Sequence, residues 1–216
     1  MKKTQFDLTT SSPNFLDESI EILKDYIYSN RACYFITLSP LDEEVLLFYT
    51  NSKQFDKSRE LSIIPPELFE DVFSFVSKRI LVAYHNADGV FVDAENEQSL
   101  NHHREIYEKT KKESEIVSIH ALDDLSNYEY VLLGRKVLWL SSSDDVPSTL
   151  NNVQHIKVDV KSIISSKNWI EEYDKIKMSV MISDFDVAFV KLGVLSTPLC
   201  HFISQTLSKI AIGKGD

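Results

Sequence analysis

FDVAFVKLGVLSTPLCHFISQTLSKIAIGKGD, residues 185–216, reads as strand, tight loop, helix, strand. Val187, Ala188, Phe189 and Val190 form a short apolar run of the kind buried on both faces of a sheet. Gly193 closes it. Thr197 has the chemistry of a helix N-cap, and Pro198 suits a first helical position because no intrahelical bond is lost there. Leu199, Phe202, Ile203, Thr206 and Leu207 recur at helical spacing. Lys209 to Ile212 return as a second strand, ended by Gly213 and Gly215. A helix joining two such strands predicts a parallel pair with a right-handed crossover. Units of this kind bring a helix N-terminus to the carboxyl edge of the sheet, where anions bind.

Working back from this unit, strand and helix alternate from Val137 onward. Val137–Leu140 and 156–160 read as strands, 146–151 as a short helical turn, and 169–182 as a helix. Upstream, Leu16, Ile20, Leu23 and Ile27 share one helical face after Ser12-Pro13, and residues 1–11 read as a tail. Strands are expected at 32–38 and 89–92, and a short one or a turn at 116–119. Helices are expected at 41–49, from Pro65-Pro66 to Asn86, and at 123–133 with Gly134 as its C-terminal cap. Residues 50–64 read as a surface excursion, and the polar stretch 94–115 as a partly helical, solvated segment. The pattern predicts an α/β, Rossmann-like fold with a mostly parallel central sheet and helices on both faces.

The chain has 216 residues, with 43% hydrophobic and 26% charged, which suits one globular α/β domain. Its formal net charge of −10 argues against a nucleic-acid or anionic-membrane binder, since both favour basic surface. A nucleotide-sugar needs only a local cluster of cations. Cys33 and Cys200 sit in apolar context without metal or redox spacing and read as buried thiols. The opening MKKTQFDLTTSS lacks the apolar core of a signal peptide, and no run approaches a membrane span, so a cytoplasmic protein is expected. The five glycines include no Walker or dinucleotide fingerprint.

Several motifs together resemble the bacterial glycosyltransferases of GT-D fold. The final unit has that family's strand, glycine-containing turn, helix and glycine-ended strand. It follows a tryptophan-bearing helix, here WIEEYDKIKMSVMIS. FITLSPLDEEVLLFYT supplies a strand running into Asp-x-Glu at Asp42 and Glu44. VSIHALDDLSNYEYVLLGRKVLWLSSSDDV supplies a histidine, a helix, Leu-Gly-Arg and a strand. The resemblance covers residues 31–216 as a single GT-D-like domain, preceded by an N-terminal tail and helix over residues 1–30. It implies transfer of a hexose from a nucleotide-sugar donor, UDP-linked being one candidate, to a surface glycan or glycoprotein. It is compatible with a homo-oligomer.

Glycosyl transfer needs a means of neutralising the leaving diphosphate and a base for the acceptor hydroxyl. Asp42 and Glu44 lie two apart where a strand gives way to a helix. In extended chain both carboxylates point the same way and could share a hard cation such as Mn2+ or Mg2+. The resemblance makes this pair catalytic or donor-binding; carboxylates in a helix's first turn, stabilised by its dipole, are the other reading. His120 matches a family histidine and is a candidate base or donor contact, or else a hydrogen-bonded structural residue. Lys191, Gly193, Ser196 and Thr197 border the last helix's N-terminus, and Ser141 and Asp145 follow a strand's carboxyl end. These six are the candidate donor-binding residues. Capping alone also accounts for Ser196 and Thr197, and a solvated side chain for Lys191. The chain departs from the family pattern at Ser39, Leu41 and Glu43, at Lys191-Leu192, and at Asp144. Each departure removes a way to approach a diphosphate. They leave a second reading open, a GT-D-like binding or assembly subunit without turnover.

Overall fold

The computed structural model describes residues 15–29, 31–37, 67, 69–93, 96–109, 114–122, 130–132 and 134–214. The expected helix at 41–49, the excursion at 50–64 and most of the expected helix at 123–133 lie outside them. The described elements run α1 (Phe15–Tyr28), β1 (Cys33–Thr37), α2 (Phe69–Asn86), β2 (Gly89–Val92), α3 (Glu97–Lys109) and β3 (Glu115–Ser118). They continue with β4 (Val137–Ser141), β5 (Val153–Lys157), α4 (Val160–Ser165), α5 (Trp169–Met181), β6 (Val187–Lys191), α6 (Ser196–Leu207) and β7 (Ile210–Gly213). The strands form one seven-stranded sheet in the order β3-β2-β1-β7-β6-β4-β5. Every pairing is parallel. The fold is therefore α/β and Rossmann-like.

The apolar runs divide between two cores because successive side chains leave a strand on opposite faces. Tyr34, Ile36, Leu138, Leu140, Ala188 and Val190 face one core, closed by apolar residues of α2, α4, α5 and α6. Cys33, Phe35, Val137, Trp139, Val187 and Phe189 face the other, closed by Ile20, Leu23 and Ile27 of α1 and by Val131 and Leu132. Helices thus cover both faces. Acidic Asp17 and Glu18 occupy the first turn of α1, where the helix dipole favours them. The polar α3 buries Leu100 and leaves Glu97, Gln98 and Asn101 exposed, which suits a solvated helix.

Four local expectations are corrected. The strand placed at 156–160 occupies Val153–Lys157 instead, and Val160 opens α4. The cause is Asp159, whose carboxylate accepts from the Ser162 amide at 3.1 Å and turns the chain into the helix. Residues 146–151 form a turn closed by Leu150 N–H to the Pro147 carbonyl at 3.2 Å, not a helix. The last strand is Ile210–Gly213 rather than 209–212. Thr197 does not cap α6, which starts at Ser196 straight out of a 3-10 turn over Gly193–Leu195. Gly193 enters that turn at φ 51°, a left-handed conformation natural to glycine.

Candidate functional site

In open parallel sheets, ligands settle where the loops leaving the carboxyl ends of adjacent strands run apart. The strand order places such a point between β4 and β6. The chain leaves β4 outward to β5, and leaves β6 inward to β7. Ser141 and Lys191, the last residues of the two strands, are register partners. Both project to the Trp139–Phe189 face, since residues two apart share a side.

Polar groups are concentrated here. Lys191 Nζ donates to Asp145 Oδ2 at 2.7 Å, and the Trp139 indole donates to Asp145 Oδ1 at 3.4 Å. Ser141 Oγ lies 2.6 Å from the Ser143 carbonyl and 3.1 Å from His155 Nε2. One hydroxyl carries one proton, so when Ser141 donates to Ser143 the imidazole must donate to Ser141. Lys157 binds Asp144 at 2.5 Å on the outer flank. Beneath the cluster the Trp139 and Phe189 rings stack at 5.1 Å with their planes 16° apart. Burial opposes the Asp145 charge. The hydrogen bond from Lys191, with the Ser143 hydroxyl and the Lys191 charge, outweighs it and holds the carboxyl well below the usual carboxylate range.

The other candidates do not all join this cluster. Gly193 forms the turn after β6. Ser196 and Thr197 are buried, and Ser196 Oγ accepts the Leu192 amide at 2.8 Å, locking the turn from inside. The Ser196 hydroxyl keeps its own proton to donate, but its burial leaves a phosphate little access to it. His120 follows β3, with Nε2 2.8 Å from Asp93 Oδ1 at the end of β2. β3 and β6 are four positions apart in the sheet, or roughly 19 Å at ordinary strand spacing, so His120 and Lys191 do not share one small site. Asp42 and Glu44 lie outside the described residues.

Among the described residues no three His, Cys, Asp or Glu side chains converge as a metal site. Asp145 and Asp144 are each engaged by a lysine. The described residues therefore do not by themselves fit a divalent cation.

Sequence reasoning missed His155 and Trp139, and the carboxylate of Asp93. Asp93 follows a strand's carboxyl end, a signal that was available. His155 faces Trp139 only through the β4–β5 register. Compared with known families, characterised proteins and solved structures, the chain matches none of them.

Proposed function

We propose that the chain is a cytoplasmic, bacterial GT-D-like glycosyltransferase that takes a hexose from a nucleotide-sugar donor and places it on a surface glycan or glycoprotein. The observation that supports this reading best is the switch in strand order between β4 and β6, where a lysine and a carboxylate meet at the divergence of two loops. Lys191 would take the donor diphosphate there, exchanging Asp145 for a phosphate oxygen. Mn2+ or Mg2+ held by Asp42 and Glu44 would supply charge neutralisation to the leaving group. Among the described residues no helix is long and apolar enough to cross a membrane.

A specific observation favours a second reading, a GT-D-like binding or assembly subunit without turnover. The Lys191 charge is already answered by Asp145, and Ser196 is buried in the turn. One experiment separates the two. UDP-sugars are titrated into the protein with and without Mn2+, following thermal stability and sugar release. The transferase reading expects Mn2+-dependent stabilisation and release, with release abolished in Asp42→Ala and Glu44→Ala. Stabilisation without release supports the subunit. Neither effect with any donor defeats the nucleotide-sugar reading.

A further inference from the structure

The helical layer carries a groove of about 360 Å3 between α2, α5 and α6, and it shares no residue with the carboxyl-edge crevice. Lys78 and Arg79 of α2 and Lys177 of α5 line it, together with apolar Val82, Pro198 and Phe202. In a chain of net charge −10 this is a local concentration of cations.

Their partners differ in a way that matters. Lys177 pairs with Asp174 at 2.6 Å. Lys78 and Arg79 make no ion pair among the described residues. Arg79 is instead held over the Phe75 ring, 3.2 Å from its centroid, with Nη1 donating to the Phe75 carbonyl at 3.2 Å. Its guanidinium is thereby fixed in place, while no carboxylate among the described residues forms an ion pair with it. Partial burial lowers the Arg79 pKa, and the neighbouring Tyr173 and Asp174 offset this only in part. An oriented guanidinium beside a second lysine, both exposed, is prepared for an external anion, because little side-chain entropy remains to be lost on binding. The apolar walls favour a ligand that is not a bare inorganic ion. The volume falls within the roughly 300–1,000 Å3 of small-molecule sites.

We propose that this groove binds a small organic anion in which an apolar planar ring carries a phosphate monoester. The phosphate bridges Lys78 and Arg79, and the ring rests against Val82, Pro198 and Phe202.

The test titrates phenyl phosphate into the full chain by calorimetry, beside inorganic phosphate and benzyl alcohol. Saturable binding is expected for phenyl phosphate. Inorganic phosphate should bind about tenfold more weakly or worse, and benzyl alcohol not at all. Lys78→Gln and Arg79→Gln should each weaken phenyl phosphate by about tenfold or more, as expected for a lost charge-assisted hydrogen bond. Arg79→Gln also removes the contact with Phe75. Lys78 is exposed, so Lys78→Gln tests the site with the fold intact, checked by an unchanged melting curve. Lys191→Met should leave the affinity unchanged. The proposal is overturned by no binding at millimolar phenyl phosphate, by equal affinity for inorganic phosphate, by full affinity in Lys78→Gln, or by a loss in Lys191→Met matching that in Lys78→Gln.

Discussion

Lys191 Nζ stands 2.7 Å from Asp145 Oδ2, across two adjacent strands whose following loops run in opposite directions. The ammonium that could meet a diphosphate is therefore already bound to a carboxylate. A ligand must compete with Asp145 for it. Asp145→Asn weakens the competitor and should raise the affinity for UDP, whereas Lys191→Met should lower it by about tenfold or more. Titration of UDP into the three proteins checks this. Equal affinities would remove the crevice from donor binding.

The same pair links stability to acid. Because the folded Asp145 pKa is depressed, its contribution is present above the ordinary carboxylate value near about 4 and is lost as pH falls through the lower folded value. Asp145→Asn should be less stable than the wild type near neutrality, and the gap should narrow in acid. Urea midpoints at about pH 7 and about pH 3 measure it, and a constant gap would assign the effect to something other than the charge.

Trp139 supports this site from below, and its two roles can be separated. It is buried, stacked on Phe189, and its indole N–H reaches Asp145. Trp139→Phe keeps an aromatic ring and loses the donor, with an expected cost of about 1 kcal/mol. Trp139→Ala loses both and should cost about 3–5 kcal/mol. If the two variants unfold alike in urea, the stacking contributes nothing.

The strands of the central sheet were legible because β4 and β6 are buried on both faces and so read as continuous apolar runs. For β5 the apolar pattern points three residues too late. β5 is a half-exposed edge strand whose Gln154, His155 and Lys157 dilute the apolar signal. The start of α6 is not legible in the sequence because the Ser196 hydroxyl turns inward to the Leu192 amide, and no composition rule distinguishes that from a cap. Lys191 and Asp145 were each legible as residues beyond a strand's carboxyl end. Their pairing was not, since it joins positions 46 apart and depends on the register of Ser141 with Lys191.

At the opposite pH extreme, two thiols and a phenol carry the expectation. Burial, with a lesser push from the Asp88 charge, raises the Cys33 thiol to about 12. Burial raises Cys200 further, and raises the Tyr34 phenol well above its ordinary value. A raised folded pKa stabilises the neutral form. This contribution is fully present below the unfolded value, 9.0 for the thiols, and is lost as pH rises through the folded one. Urea midpoints should change little between about pH 7 and about pH 8 and fall above about pH 9. Neither thiol should react with a disulfide reagent in the native protein near pH 8, and both should react after denaturation. Rapid native labelling of Cys200 would contradict its burial.

The most sensitive glycine should be Gly89. It is the register partner of Phe35 on β1. A Cβ at this position would lie 2.0 Å from Phe35 Cε1 and 2.2 Å from Cδ1. The ring cannot easily retreat: it is buried, edge-on to Tyr26 at 5.2 Å and 5.8 Å from Phe91. Gly89→Ala must therefore push an aromatic side chain into a filled core, at about 1–3 kcal/mol. Gly134→Ala is the useful contrast. No atom lies within 4 Å of its Cβ position, but φ is +74°, so its cost is backbone strain alone, about 1–2 kcal/mol. The two mechanisms separate in a double-mutant cycle with Phe35→Leu. The smaller side chain removes the obstacle at residue 89, so Gly89→Ala should cost less in that background, while Gly134→Ala should cost the same in both. Urea unfolding of the six proteins measures the coupling. Additive behaviour at Gly89 would mean that the Phe35 ring already has room to move, and the close fit between β1 and β2 would no longer explain the glycine.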